Sequence, residues 1–312
     1  MPTLSDNCAR TVDTQSRREG RWLFPSLLAA SLFAALPFPA ALADDDDEQS
    51  DDAISLDTPQ LAPCSQRYEL VADPAPPPAA EDGKQAVRVG YGSEDYWGTQ
   101  NIKVLMPQEA GLGETALRVR YPEGTSSPSD QGEGGAGFYA TIDALSHQDR
   151  ACLQYKVRFE PGFEFVKGGK LPGLYGGSAP SGGEEVTGEN GFSMRFMWRE
   201  KGQGELYEYV MKDEEYGQSV GRGEWMFPTG EWVTLEQEII LNDPDRKNGI
   251  ARVWVDGRPI LEQHNIVYRT DDDIYADGLM FSTFFGGHGQ DWRTPQDQYA
   301  DFADFRFYRY PG

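Results

Sequence analysis

The sequence predicts an all-β protein, a sandwich of two packed antiparallel sheets, and three observations carry that prediction. From about residue 84 onward apolar and polar residues alternate at a period of two. The alternating runs are short and separated by Gly, Pro, Ser and Asp clusters, with 35 Gly and 21 Pro in 312 residues to make the turns. No window of twelve or more residues shows an apolar period of 3.6. An aromatic share of 12% supplies a core and argues against wholesale disorder.

The first 43 residues stand apart. Arg17, Arg18 and Arg21 precede the apolar stretch Trp22–Leu36, and the small residues Ala41-Leu42-Ala43 stand just before Asp44. This is the three-part pattern of a secretory signal. The apolar run is about 15 residues, broken by Pro25, and too short to span a bilayer. The Arg17-Arg18 pair is compatible with a twin-arginine export route. A secreted or periplasmic protein is therefore expected, with no membrane association once the leader is removed. Residues 44–83 read as an acidic, Pro-rich disordered linker. Asp44 to Glu48, Asp51, Asp52 and Asp57 are eight acids with no Lys or Arg among them, and Pro74, Pro76, Pro77 and Pro78 follow as a stiff spacer.

Cys8 leaves with the leader, so Cys64 and Cys152 remain. They either pair in an oxidising compartment or stay as two buried thiols, and the compartment tips the balance to a disulfide. Three scattered cysteines exclude a disulfide scaffold and a cysteine-rich zinc site.

The expected domain begins near Lys84 and covers 84–312, with a strap around Cys64 left open. Its strands are Ala86–Tyr91, Ile102–Met106, Ala116–Tyr121, Gly137–Ile142, Cys152–Phe159, Phe192–Trp198, Glu205–Met211, Trp232–Leu241, Ile250–Val255, Leu279–Phe285 and Phe302–Tyr308. Asn248-Gly249 and Asp256-Gly257 are turn dipeptides flanking one of them. The stretch from Trp232 to Gly257 has the look of a concanavalin-like β-jelly roll. There is no internal repeat.

Charge excludes some functions. With 28 Lys and Arg against 51 Asp and Glu, the formal net charge is −23. Such a chain lacks the basic face that nucleic-acid binding requires. Removing residues 1–43 takes away four Arg and three acids and leaves −24, of which −16 lies outside the acidic tail. That excess suits a salty habitat, where repulsion is screened.

The informative stretch is 163–209. Residues 168–177, Gly-Gly-Lys-Leu-Pro-Gly-Leu-Tyr-Gly-Gly, hold five glycines and a proline around Lys170, permitting an unusual backbone path and close ligand approach. Ser193 and Arg195 are two apart and share a sheet face, as do Tyr207 and Tyr209 on the expected neighbouring strand. A Lys, a Ser, an Arg and two Tyr on one face suit β-elimination from a uronate polymer. The C5 proton becomes removable once the adjacent carboxylate is neutralised by an Arg fork. A base takes that proton, and an acid protonates the leaving oxygen at C4. Tyr serves in either role beside cations, and a partly desolvated Lys serves as base. The chemistry requires neither metal nor organic cofactor.

The run Lys167-Gly-Gly-Lys-Leu-Pro-Gly-Leu-Tyr-Gly-Gly, with Phe-Ser-Met-Arg-Phe-Met-Trp-Arg (192–199), Glu-Leu-Tyr-Glu-Tyr (205–209), Thr283-Phe-Phe-Gly-Gly and Trp292-Arg-Thr-Pro-Gln-Asp-Gln-Tyr299, resembles polysaccharide lyase family 14 over about 84–312. The resemblance implies a β-jelly-roll lyase acting on alginate or glucuronan. It implies catalytic roles for Lys170, Ser193, Arg195, Tyr207 and Tyr209. Arg195 and Ser193 would bind the carboxylate region, Tyr207 and Tyr209 would act as base and acid, and Lys170 would assist or serve as base. Lys167, Arg199, Tyr139 and His288 are the expected substrate-binding residues, with Arg199 also readable as structural and His288 as an exposed loop residue. The expected partner is an acidic polysaccharide, and the chain is expected to be a monomer.

Other acids raise competing readings. Glu184, Glu185 and Glu189 sit oddly beside a polyanionic substrate, and either lie away from the cleft or select a less charged polymer. Glu236 and Glu238 share a face and imitate a hydrolase pair, but read as a solvated strand face. Asp243-Pro244-Asp245 and Asp271-Asp272-Asp273 could ligate calcium and read more simply as polar loops. The alternative to a lyase is a non-catalytic glycan-binding sandwich that uses Trp254 and tyrosines as stacking platforms.

Overall fold

The computed structural model describes residues 53–55, 61–128, 134–212, 217–287 and 289–312. The expected leader 1–43 with Cys8, most of the acidic segment, and His288 lie outside the described residues.

The strands are β1 (Ala53–Ser55), β2 (Glu69–Ala72), β3 (Tyr96–Trp97), β4 (Ile102–Leu105), β5 (Ala116–Tyr121), β6 (Ala136–Thr141), β7 (Arg150–Phe159) and β8 (Gly168–Gly177). There follow β9 (Gly191–Arg199), β10 (Gly204–Tyr209), β11 (Gln218–Val220), β12 (Val233–Ile240), β13 (Gly249–Val255), β14 (Arg258–Ile266), β15 (Gly278–Phe285) and β16 (Gln298–Arg309). One sheet runs β1-β14-β13-β12-β7-β16-β5-β4, with β2 also on β16, and the other runs β11-β10-β9-β8-β15-β6-β3. Every strand pair is antiparallel. The architecture is the jelly-roll sandwich that the period of two implies.

The core lies between the sheets because each strand turns one row of its alternation inward. Leu153, Tyr155, Val157 and Phe159 of β7 meet Phe192, Met194, Phe196 and Trp198 of β9 in one apolar cluster. The intervening Ser193, Arg195, Met197 and Arg199 are thereby turned to the far face of the seven-stranded sheet.

Two sequence expectations need correction. Ala86–Tyr91 belongs to a helix, α1 (Gly83–Tyr91), and not to a strand. The Asp82 side chain accepts from Gln85 N–H at 2.7 Å and Gly92 closes the helix at φ 67°. Its buried residues Gly83, Ala86, Val87 and Tyr91 follow helical spacing, too briefly for a twelve-residue window to register. The other helix, α2 (Pro107–Ala110), is a single turn.

The ordered body also begins before Lys84. Strand β2 pairs with the end of β16, and Ala53–Ser55 adds to β14. Cys64 is disulfide-bonded to Cys152 of β7. Residues 61–68 are a strap across the nine-stranded sheet. There Ser65 N–H donates to Glu236 and Arg67 pairs with Glu238 at 2.9 Å. Glu236 and Glu238 are therefore buried partners of this strap, unlike the solvated face the sequence suggests. Strand β14 escaped the sequence reading because Pro259 and the run Glu262-Gln263-His264-Asn265 break its alternation.

The glycine-rich 168–177 segment is a full strand, β8, between β9 and β15. Its glycines are required by close packing: a Cβ on Gly173 would stand 1.9 Å from Met194 O. Pro172 sits at a bulge between Leu171 and Gly173, where a missing N–H is tolerated. Gln237 of β12 reaches across the core, accepting from Leu174 N–H at 3.0 Å and donating to Met194 O at 2.9 Å. One buried amide thus satisfies both strands beside the bulge.

Candidate active site

The β8–β9–β10 register assembles the predicted residues. Tyr207 stands opposite Arg195 and Tyr209 opposite Ser193. On the other side of β9, Gly173 faces Arg195, Tyr175 faces Ser193 and Lys170 faces Met197. Two adjacent rows result: Gly173–Arg195–Tyr207 and Tyr175–Ser193–Tyr209.

Arg195 is the centre of this arrangement. It is 2% exposed, its Nε has no hydrogen-bond partner, and no carboxylate pairs with it among the described residues. Burial lowers the basicity of its guanidinium, while the neighbouring Tyr209, Tyr207 and Tyr139 phenols act in the opposite sense. A buried cation without an anion is costly unless an anionic ligand completes it. Lys170 stands close by, with Nζ 3.2 Å from the centroid of the Tyr207 ring and 2.7 Å from Met197 Sδ.

Tyr139 of β6 is half-buried near Arg195 and edge-on to Tyr175, the ring centroids 5.3 Å apart. Burial raises the pKa of both tyrosines. Arg195 opposes the rise in Tyr139, and the Thr141 hydroxyl opposes it in Tyr175. Tyr175 and Met197 were not singled out from sequence. Met197 follows Arg195 by two residues, so the rule that paired Ser193 with Arg195 would have found it. Tyr175 was hidden by the Pro172 bulge, which breaks the alternation of β8.

The other predicted residues are placed differently. Ser193 is 0% exposed and donates its hydroxyl proton to Pro180 O at 2.7 Å. Arg199 binds the buried Glu205 through Nε at 2.7 Å and donates to Ser219 Oγ at 3.1 Å, while Arg222 takes the other Glu205 oxygen at 2.7 Å. Its charge is thus engaged within the protein. Lys167 is ion-paired with Asp291 and lies 5.5 Å from the centre of the Trp292 ring. Among the described residues, three His, Cys or carboxylate ligand atoms come together only at Cys64, Cys152 and Glu236, on the other sheet. Both of those sulfurs are in the disulfide.

The family model for polysaccharide lyase 14 matches residues 109–305. Among solved structures, the marine PL-14 alginate lyase from Aplysia kurodai superposes with a TM-score of 0.68 at 29% identity, covering 77% of this chain and 99% of that one. An alginate lyase from Chlorella virus gives 0.64 at 20% identity, over 78% and 100%. The endo-β-1,4-glucuronan lyase from the fungus Trichoderma reesei gives 0.53 at 12% identity, over 77% and 95%. At the identities of these last two, the likeness is one of fold. No curated protein matches the chain significantly. The family match spans well over half of the sequence and includes every residue of the Arg195 group, so the chain belongs to the polysaccharide lyase 14 family.

Proposed function

We propose that this polysaccharide lyase cleaves alginate or glucuronan by metal-independent β-elimination, leaving a C4–C5 unsaturated uronate at the new chain end. The observation that carries the reading is Arg195: a buried guanidinium with no anion among the described residues, ringed by Tyr139, Tyr207 and Tyr209. A uronate carboxylate completes it. The guanidinium supplies the charge neutralisation that makes the C5 proton removable, so the step needs no Lewis acid. Tyr207, Tyr209 and Lys170 provide the base for that proton and the acid for the C4 oxygen. Ser193 holds structure beneath them, because its hydroxyl is already given to Pro180. The named substrates of the Aplysia, Chlorella virus and Trichoderma relatives, alginate and glucuronan, support the polymer class.

Export is part of the proposal. Residues 1–43 act as the leader, and the Cys64–Cys152 disulfide suits an oxidising compartment.

The test is near-ultraviolet absorbance of the purified protein with polymannuronate, polyguluronate and glucuronan in turn. A rise with one polymer, lost in Arg195→Ala while the melting temperature holds, supports the reading and names the substrate. Binding without any rise would reduce the protein to a glycan-binding sandwich.

A further inference from the structure

The acidic β8–β9 connection does not lie away from the site. Residues 178–190 carry Glu184, Glu185 and Glu189 and no Lys or Arg. Ala179 packs with Tyr175, Met280 and Tyr139. Pro180 O accepts from Ser193, and Gly183 N–H donates to Tyr209 Oη at 3.0 Å. Val186 packs on Tyr207, Tyr209 and Met197. The loop therefore follows the cross-strand row Tyr175–Ser193–Tyr209, immediately beside the Arg195 row. It is a wall of the site.

This wall carries the wrong sign for a second carboxylate. Glu184 lines a small polar pocket with Glu208, Tyr209, Lys212 and Gln218, and its charge is felt at Tyr139. Of the cations nearby, Lys212 pairs with Glu208 at 3.0 Å, Arg199 and Arg222 pair with Glu205, and Lys170 is held over the Tyr207 ring against Met197. Arg195 can neutralise one uronate. A neighbouring uronate seated against the loop would meet Glu184, and the loop has no Lys or Arg of its own to offset it. Like charges placed this way are a common device for rejecting a competing ligand.

We propose that the β8–β9 loop makes the subsite it walls selective for a sugar without a free carboxylate. Alginate or glucuronan is then turned over more slowly than a polymer that carries neutral sugars among its uronates. This rests on the lyase reading above and deepens it.

The experiment compares kcat/KM per uronate, at low salt, on whichever homopolymer is turned over and on the same polymer with about half its carboxyls reduced to alcohols. Glu184 is exposed, so Glu184→Gln and Glu184→Lys are expected to fold. Glu231→Gln and Glu231→Lys, at the entry to β12 of the other sheet, make the same two changes of net charge elsewhere. The wild type and both Glu231 variants should favour the carboxyl-reduced polymer by about tenfold, and Glu184→Lys should bring that ratio close to one. Added salt should shrink the wild-type ratio as well. Equal rates on both polymers in the wild type, or a ratio unchanged in Glu184→Lys, would overturn the proposal. Absence of unsaturated product from every polymer is a different result, and it would count against the lyase reading itself.

Discussion

Lys170 Nζ lies 3.2 Å from the centre of the Tyr207 ring, over its face. An ammonium there is held by the ring's quadrupole, and the Met197 sulfur borders it on the β9 side. The two residues come from strands that do not pair with each other, β8 and β10, and meet across β9.

That relationship separates two variants of one tyrosine. Tyr207→Phe keeps the ring beneath Lys170 and removes only the hydroxyl. It should lower kcat about a hundredfold or more with little change in melting temperature, as expected for loss of a proton-transfer group. Tyr207→Ala should lose the same activity and also destabilise the protein, through the lost packing with Tyr209 and Lys170. Paired steady-state kinetics and thermal melts check this; an active Tyr207→Phe would remove Tyr207 from the chemistry.

Ser193 should behave as an anchor. Ser193→Ala leaves Pro180 O without its donor in a buried place, at a cost of about 1–2 kcal/mol. The expected outcome is a lower melting temperature and faster proteolysis within 178–190, with KM for polymer changed less than kcat. A rise in KM alone, with the melt unaltered, would instead put the hydroxyl on substrate.

The Cys64–Cys152 bridge closes a segment with a sequence separation of 88 and holds the strap to β7. Chain-entropy reasoning puts its contribution at about 4–5 kcal/mol, an upper value for real proteins. Reduction, or Cys64→Ser with Cys152→Ser, should lower the melting temperature by several degrees or more. Some lyase activity should persist below the new melting point, because the bridge is on the other sheet. Differential scanning calorimetry with and without reductant decides it.

Stability should fall steeply in alkali. Tyr91, Tyr121, Tyr155 and Tyr268 are fully buried, and burial pushes each phenol well above its ordinary value of 10.0. Tyr68 is raised by burial and by its bond to Glu238. A raised folded-state pKa contributes stability fully below the unfolded value and loses it as pH rises beyond that value. The protein should therefore hold its melting temperature to about pH 10 and lose it above. The tyrosinate absorbance of these rings should appear only with unfolding, on top of what the exposed tyrosines such as Tyr310 give; the full tyrosinate amplitude at native ellipticity would contradict their burial.

Much of the site was legible in the chain because sheet geometry is simple. A spacing of two puts Ser193 with Arg195 and Tyr207 with Tyr209 whatever the rest of the fold does. Lys170 was found through the glycine-rich run, although that run was read as an irregular path and not as a central strand. The reason is Pro172: it breaks the alternation of β8, and Gln237 and Tyr155, reaching from the other sheet, satisfy the backbone around the bulge.

By itself, then, the sequence determined the all-β class, the positions of β4 to β7, β9, β10, β12, β13, β15 and β16, and the chemical types gathered on one face. Those follow from local periodicity, which neighbouring residues dictate. What only the tertiary structure decided is which of those groups are free to act. Arg195 and Arg199 are four residues apart on the same face, yet one has no anion among the described residues and the other is bound to Glu205. Ser193 lies beneath Pro180, and Glu184 is brought beside Tyr209. Pairing of buried charges depends on what each side chain meets across strands and loops, and those meetings are set by register and by the course of one connection, not by spacing along the chain.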